Sequence, residues 1–210
     1  SLGIFRTYGG RMEIFMGSVL AGDNAEAPSA YDFALGGAGM HPTIPIGANR
    51  TPLRGGLTVM ADVAGNFNGY HSDCSRTYAI GAVPERVREA HGVSIAIGEA
   101  LAREGRSGAS CEALYTRAMQ LADEAGLAAH FMGCRQQAKF VGHGVGLEIN
   151  ELPVLAARTQ ACLEAGMTIA LEPKFVFPGV GAVGVENTYL VTDAGMEKLT
   201  VCDETLVALE

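Results

Sequence analysis

Four carboxylates stand inside, or at the ends of, segments that otherwise read as buried strands. Asp62 closes Leu57-Thr58-Val59-Met60-Ala61 and is followed by Val63. Asp73 lies in Gly69-Tyr70-His71-Ser72-Asp73-Cys74-Ser75-Arg76-Thr77. Glu172 closes Met167-Thr168-Ile169-Ala170-Leu171 and precedes Pro173. Glu186 sits inside Val183-Gly184-Val185-Glu186-Asn187-Thr188-Tyr189-Leu190-Val191. With period-two alternation, Asp62 shares a face with Met60 and Ala64 while Val59, Ala61 and Val63 take the other, and both faces read as buried. A lone acid at a strand end is usually solvated or caps a turn. Four in apolar settings are costly unless they are paired or bind a cation. Only Arg76 and Lys174 lie close in sequence to compensate them. The fold must therefore gather these acids around cations.

His143 adds a fifth group, in Gly142-His143-Gly144-Val145-Gly146. The flanking glycines let the backbone bend and let other groups approach. A lone histidine is more often structural than a ligand, but beside four unexplained acids the balance reverses. Oxygen-rich ligation with one imidazole suits Mn²⁺, Co²⁺, Fe²⁺ or Zn²⁺, with Mn²⁺ favoured, rather than a thiolate site. Four carboxylates are neutralised by two divalent ions. A pair of ions about 3.5 Å apart lowers the pKa of a bridging water and polarises a carbonyl.

The 210 residues suffice for one sizeable core and not for two generous domains. The 28 glycines argue for many turns and against an all-helical bundle. A formal charge of −8, without a Lys/Arg cluster, argues against nucleic acid and anionic membrane as partners. The ordinary meaning of that charge is solubility. The cysteines, Cys74, Cys111, Cys134, Cys162 and Cys202, are odd in number, widely spaced and without a CxxC. They fit free thiols in a reducing compartment, and the expected location is cytoplasmic. No apolar stretch approaches a membrane span, and no signal peptide is read. The start without Met suggests a piece cut from a longer protein.

Residues 11–20 read as a strand, 22–56 as a long Gly/Pro-rich loop region of the kind that often carries function, and 57–63 with 76–80 as a hairpin-like pair. Pro84 opens a helix running to about Glu104, with Val87, Ala90, Ile97 and Leu101 near one face and Gly105 ending it. Ser110 caps a second helix to Ala125, with Leu114, Ala118, Leu121 and Ala125 on a stripe and Gly126 after it. Strands are expected at about 140–150, 167–173, 183–192 and 196–201. The whole is an α+β domain.

These motifs, in this order, resemble the creatinase/aminopeptidase P/methionine aminopeptidase family, whose fold is called pita-bread. Asp62 and Asp73, with ten residues between them, look like its paired aspartates. The run from Gly69 to Thr77 is similar to its GYxSDxTRT signature, with Ser75 in place of the usual Thr. Gly142-His143-Gly144 resembles its ligand-histidine motif, Glu172-Pro173 its EP motif, and Glu186-Asn187-Thr188 its last glutamate. Each motif alone is weak; the ordered set, spanning about residues 55–200, is highly specific. The Tyr-Ser-Asp-Arg-Thr flavour points to the prolidase/aminopeptidase P branch.

The resemblance implies a single pita-bread catalytic domain over residues 1–210, with pseudo-two-fold halves, from a longer protein with an N-terminal domain. It implies two metal ions held by Asp62, Asp73, His143, Glu172 and Glu186. Asp62 binds one ion and His143 the other, Asp73 and Glu186 bridge, and Glu172 both ligates and shuttles a proton. The implied activity is hydrolysis of Xaa-Pro bonds through a hydroxide bridging the ions. A peptide is the substrate, and a homodimer is expected. Two positions depart from the pattern. The family has a second histidine seven residues after the ligand His, where this chain has Asn150. It also has one upstream of the first Asp, for which His41 in Met40-His41-Pro42 is a loose candidate; Asn150 and His41 are therefore the expected substrate contacts. Alternatives on the same cage are a hydrolase or lyase of a small non-peptide substrate, a non-catalytic pita-bread binding module, and a metal-free structural domain.

Overall fold

Asn68 and Gly69 sit at φ 52° and 86°, the left-handed pair of a two-residue hairpin turn. They join β2 (Thr58–Phe67) to β3 (Tyr70–Ile80) with Phe67 opposite Tyr70. The hairpin is longer than 57–63 and 76–80, because the turn fixes the register of the polar residues between them. The computed structural model describes residues 17–29, 35–43 and 45–210. β1 (Gly17–Ala21) pairs antiparallel with β2, and residues 11–16 of the expected first strand lie outside the described residues. The described parts of 22–56 carry a 3₁₀ turn at Gly22–Glu26 and otherwise irregular chain.

The helices follow: α1 (Glu85–Glu104) and α2 (Cys111–Glu124). Val87, Ala90, Ile97 and Leu101 of α1 are all buried, as their spacing predicts. Ser110 Oγ accepts from the Ala113 N–H at 3.3 Å, the expected cap of α2. The buried stripe of α2 is Cys111, Leu114, Ala118 and Ala122, while Leu121 and Ala125 are only partly buried. Among the described residues, no helix is long and apolar enough to cross a membrane.

The remaining strands are β4 (Phe140–Gly144), β5 (Glu151–Ala156), β6 (Thr168–Leu171), β7 (Lys174–Phe177), β8 (Gly181–Gly184), β9 (Asn187–Val191), β10 (Met196–Lys198) and β11 (Val207–Leu209). Two main sheets result, ordered β1-β2-β3-β11 and β10-β9-β6-β4-β5, with β7 and β8 as a separate pair. The strand expected over 140–150 ends at Gly144, and the one over 183–192 is broken at Val185-Glu186. β5, β7 and β11 have no counterpart in the expectation. All four residues of β7 are buried, so it shows no alternation, and a four-residue apolar run carries little signal. The larger core joins both helices to the second sheet, and a smaller one packs Leu20, Met60, Val176 and Ala182.

The sheets meet along a seam. Ser75 and Glu186 exchange backbone hydrogen bonds across it. Thr188 Oγ1 donates to the Asp73 carbonyl at 2.9 Å and accepts from the Asp73 N–H at 3.1 Å. On the α1 side, Ser94 Oγ donates to the Pro173 carbonyl at 2.5 Å and accepts from the Val185 N–H at 3.0 Å. One hydroxyl thus ties together the residues next to Glu172 and Glu186. Ser94→Ala strands the buried Val185 amide, and the expected cost is about 1–3 kcal/mol. Urea unfolding should show a lower midpoint at unchanged slope.

Candidate metal centre

Pairing register brings the acids together. In the β2–β3 hairpin Asp62 lies opposite Ser75 and Ala64 opposite Asp73, so the two aspartates are diagonal neighbours on one face. The other face of β2 is not buried as expected: Val63 is 52% exposed, because no element covers it among the described residues. His143 stands in β4, paired with Ala170 of β6 and Val154 of β5. A Cβ at Gly142 would lie 2.5 Å from the Ala170 carbonyl oxygen, so a side chain there would force the strands apart. Leu171 pairs with Asn187, and Lys174 with Gly184. The same register carried between them sets Glu172 across from Glu186. Lys174, two residues beyond Glu172, falls on the same side.

Asp73, His143, Glu172 and Glu186 are buried, and Asp62 is half-buried. His143 Nε2 stands 3.5 Å from Glu172 Oε1 and 3.8 Å from Asp73 Oδ2. Its Nδ1 is 2.9 Å from the Gly144 carbonyl, which can only accept, so Nδ1 donates there and Nε2 is the ring nitrogen turned toward the acids. Lys174, fully buried, was noted in the sequence only as a nearby cation. Its Nζ donates to Glu172 Oε2 and Glu186 Oε2 at 2.9 Å each and to Asp62 Oδ2 at 3.2 Å. Arg76, the other nearby cation, points elsewhere. Its guanidinium donates to the carbonyls of Ser75, Glu186, Cys202 and Asp203 and to Asn187 Oδ1.

Burial pushes the Asp73 carboxyl up to about 7, with help from the charges of Asp62 and Glu172. Burial also drives Glu186 well above the usual carboxylate range, and the Asp73 charge adds to it; Lys174 offsets only part. For Glu172 burial pulls upward too, but Lys174 and His143 outweigh it and hold the group at about 2. Burial disfavours the Lys174 ammonium, yet Asp62, Glu172 and Glu186 together raise its pKa well above the usual value. One ammonium against four acids leaves the cage short of positive charge.

A divalent ion fits that shortage. Ligand atoms of Asp73, His143 and Glu186 all lie within 4.8 Å of one another. Asp62 is outside this trio, with Oδ2 engaged by Lys174; Glu172 keeps Oε1 turned toward His143. The cage opens onto a cavity of about 80 Å³ that reaches Asp62, Asp73, His143, Glu172 and Glu186. Beside it lies a larger cavity of about 890 Å³, and Leu35, Phe140, His143 and Asn150 line both. The Asn150 side chain makes no hydrogen bond among the described residues, so it does not staple its turn. His41 is exposed, its Nδ1 hydrogen-bonded to Thr43 in its own turn, and it lines neither cavity.

A family model, Metallopeptidase family M24, matches residues 3–193. The chain belongs to metallopeptidase family M24. Similar proteins include a "Probable dipeptidase PepE" of Mycobacterium tuberculosis, 32% identical over 187 residues, covering 88% of this chain and 48% of the relative. An "Xaa-Pro dipeptidase" of Pyrococcus furiosus is 30% identical over 186 residues, covering 88% of this chain and 51% of the relative. Among solved structures, a dipeptidase from Pyrococcus horikoshii superposes with a TM-score of 0.76 at 26% identity, covering 92% of this chain and 48% of that one. The chain spans about half the length of the curated relatives it matches. The pita-bread expectation holds for this M24 fold: α+β, two sheet-bearing halves, acids at the seam.

Loading a divalent ion into the trio relieves the excess of negative charge, so Mn²⁺ at 100 times its Kd should stabilise the protein by about 2.7 kcal/mol. Differential scanning fluorimetry should show the rise in Tm, its reversal by chelator, and its absence in Asp73→Asn.

Proposed function

We propose that this M24 domain is a metal-dependent peptidase that hydrolyses Xaa-Pro bonds. The observation that carries the reading is the buried trio Asp73, His143 and Glu186, with Glu172 beside it, opening onto a cavity of peptide size. Relatives named as a dipeptidase and an Xaa-Pro dipeptidase support the substrate class. The oxygen-rich donor set favours Mn²⁺ among Mn²⁺, Co²⁺, Fe²⁺ and Zn²⁺. Such an ion supplies Lewis acidity toward the scissile carbonyl and an acidified water.

The chain's own groups do the rest. His143 from the second sheet and Asp73 from the first would hold the ion between them, with Glu186. Glu172, kept ionised by its neighbours, takes a proton from the attacking water and passes it to the leaving amine. Asn150, exposed where the two cavities join, offers an uncharged amide to the substrate carbonyl or the oxyanion. Apolar walls from Phe140, Leu147, Leu152 and Val154 suit a prolyl ring. A cytoplasmic setting belongs to the same proposal and agrees with the five free thiols. A homodimer is also part of it, to be tested by sedimentation.

Hydrolysis of a panel of Xaa-Pro dipeptides and longer peptides tests the reading. Turnover of small non-peptide substrates alone would overturn it. Glu172→Gln should lower kcat by about two to four orders of magnitude while the protein stays folded. In Asn150→Ala, kcat/KM should fall by the equivalent of about 3 kcal/mol at unchanged Tm. A wild-type rate in either variant removes that residue from the chemistry.

A further inference from the structure

We infer that Lys174 stands in the place of the second metal ion, so that this M24 domain binds one divalent ion and carries the other cation in its own chain. The inference deepens the metallopeptidase reading and rests on it. The resemblance implies one ion on the Asp62 side and one on the His143 side, with Asp73 and Glu186 between them. The His143 side is formed by Asp73, His143 and Glu186. On the Asp62 side the oxygens converge on the Lys174 ammonium, at 3.2 Å from Asp62 Oδ2 and 2.9 Å from Glu172 Oε2 and from Glu186 Oε2.

An ammonium has three N–H donors, and here each has a carboxylate acceptor, so the group is fully satisfied. It also has nowhere else to go. Lys174 is completely buried, as are Phe175, Val176 and Phe177 of the same strand. Its backbone is fixed by pairing with Gly184 and by the Met132 N–H donating to its carbonyl at 2.8 Å. An ion on the Asp62 side would need oxygens that the ammonium already holds, and would meet its positive charge in a site screened from water.

Charge admits one ion. Four carboxylates, the ammonium and one divalent ion leave a single negative charge. The ammonium with two divalent ions would leave a single positive one. Glu172 and Glu186 each divide their roles in this arrangement: Oε2 goes to Lys174, and the other oxygen is left to the ion's side, where Glu172 Oε1 faces His143. Asp62 becomes the partner of Lys174 rather than a ligand. Lys174 is thus a positioning residue that holds Glu172 and Glu186 toward the ion.

Mn²⁺ titration calorimetry and metal content after equilibrium dialysis read the stoichiometry directly. Electron paramagnetic resonance of the Mn²⁺-loaded protein reads whether two ions lie about 3.5–4 Å apart. The wild type should take up about one ion per chain and show an isolated Mn²⁺ spectrum. Lys174→Ala, checked for folding by circular dichroism, should take up about two, with exchange coupling between them. Asp62→Asn should leave the wild-type stoichiometry at about one, whereas Asp73→Asn should abolish uptake. Two coupled ions in the wild type overturn the assignment of Lys174 and leave the metallopeptidase reading standing. One ion in a folded Lys174→Ala also overturns it. No ion in the wild type overturns the metal reading itself. If Lys174→Ala does not fold, the wild-type spectrum and Asp62→Asn still decide.

Discussion

Like charges held together in a buried seam are the constraint around which the rest of this domain is arranged. Asp73, Glu172 and Glu186 are buried within reach of one another, and Asp62 stands at the edge of the group. Ionised carboxylates in such a place repel each other and have lost their water. The fold answers with cations and with rigidity. Lys174 supplies one charge from inside. The three buried acids are tied to neighbouring elements: Thr188 to the Asp73 backbone, Ser75 Oγ to Glu186 Oε2 at 2.5 Å, and Ser94 to the backbone of the residues flanking Glu172 and Glu186. Removing one partner from such a buried set typically costs about 3–5 kcal/mol, because the remaining charges are left uncompensated. The cage is therefore a site at which stability and chemistry draw on the same residues.

The interrupted ladder between β6–β7 and β8–β9 gives the cage its shape. Leu171 pairs with Asn187 and Lys174 with Gly184, and the register between them does not slip. Pro173 has no N–H to give, so regular pairing breaks where Glu172 and Glu186 sit. The break frees both glutamates from a flat sheet surface while the strands on either side hold them opposite each other. The Ser94 hydroxyl then occupies the hydrogen-bonding positions that the ladder leaves open.

Much of this was legible in the sequence. The acids announced themselves because each stands in an apolar run, and His143 because glycine flanks it. The helices were legible from Pro84, Ser110 and their spacing, although the buried stripe of α2 falls on Ala122 rather than Leu121. The turn at Asn68-Gly69 carried a strong hairpin signal that would have extended β2 and β3 to their full lengths. Other features had little local signature. β7 is apolar on both faces and short, and β11 is three exposed residues. Exposure of Val63 depends on what covers β2, which alternation does not reveal. His41 was a match of residue type, and its own turn with Thr43 keeps it out of both cavities.

Which cation enters the cage follows from parity along two strands. On β3, Asp73, Ser75 and Thr77 face inward and are buried, so Arg76 must face outward. There its planar fork gathers carbonyls of Glu186, Cys202 and Asp203, and fastens the C-terminal segment to the seam. On the other side Lys174 is an even step from Glu172 and shares its face. A guanidinium outside and an ammonium inside are not interchangeable here. The inner position offers three carboxylates around a point, which suits a compact charge on a flexible stem. The outer one offers a row of carbonyls, which suits a broad set of donors. Alternation alone thus separates the cation that holds the scaffold from the one that neutralises the acids.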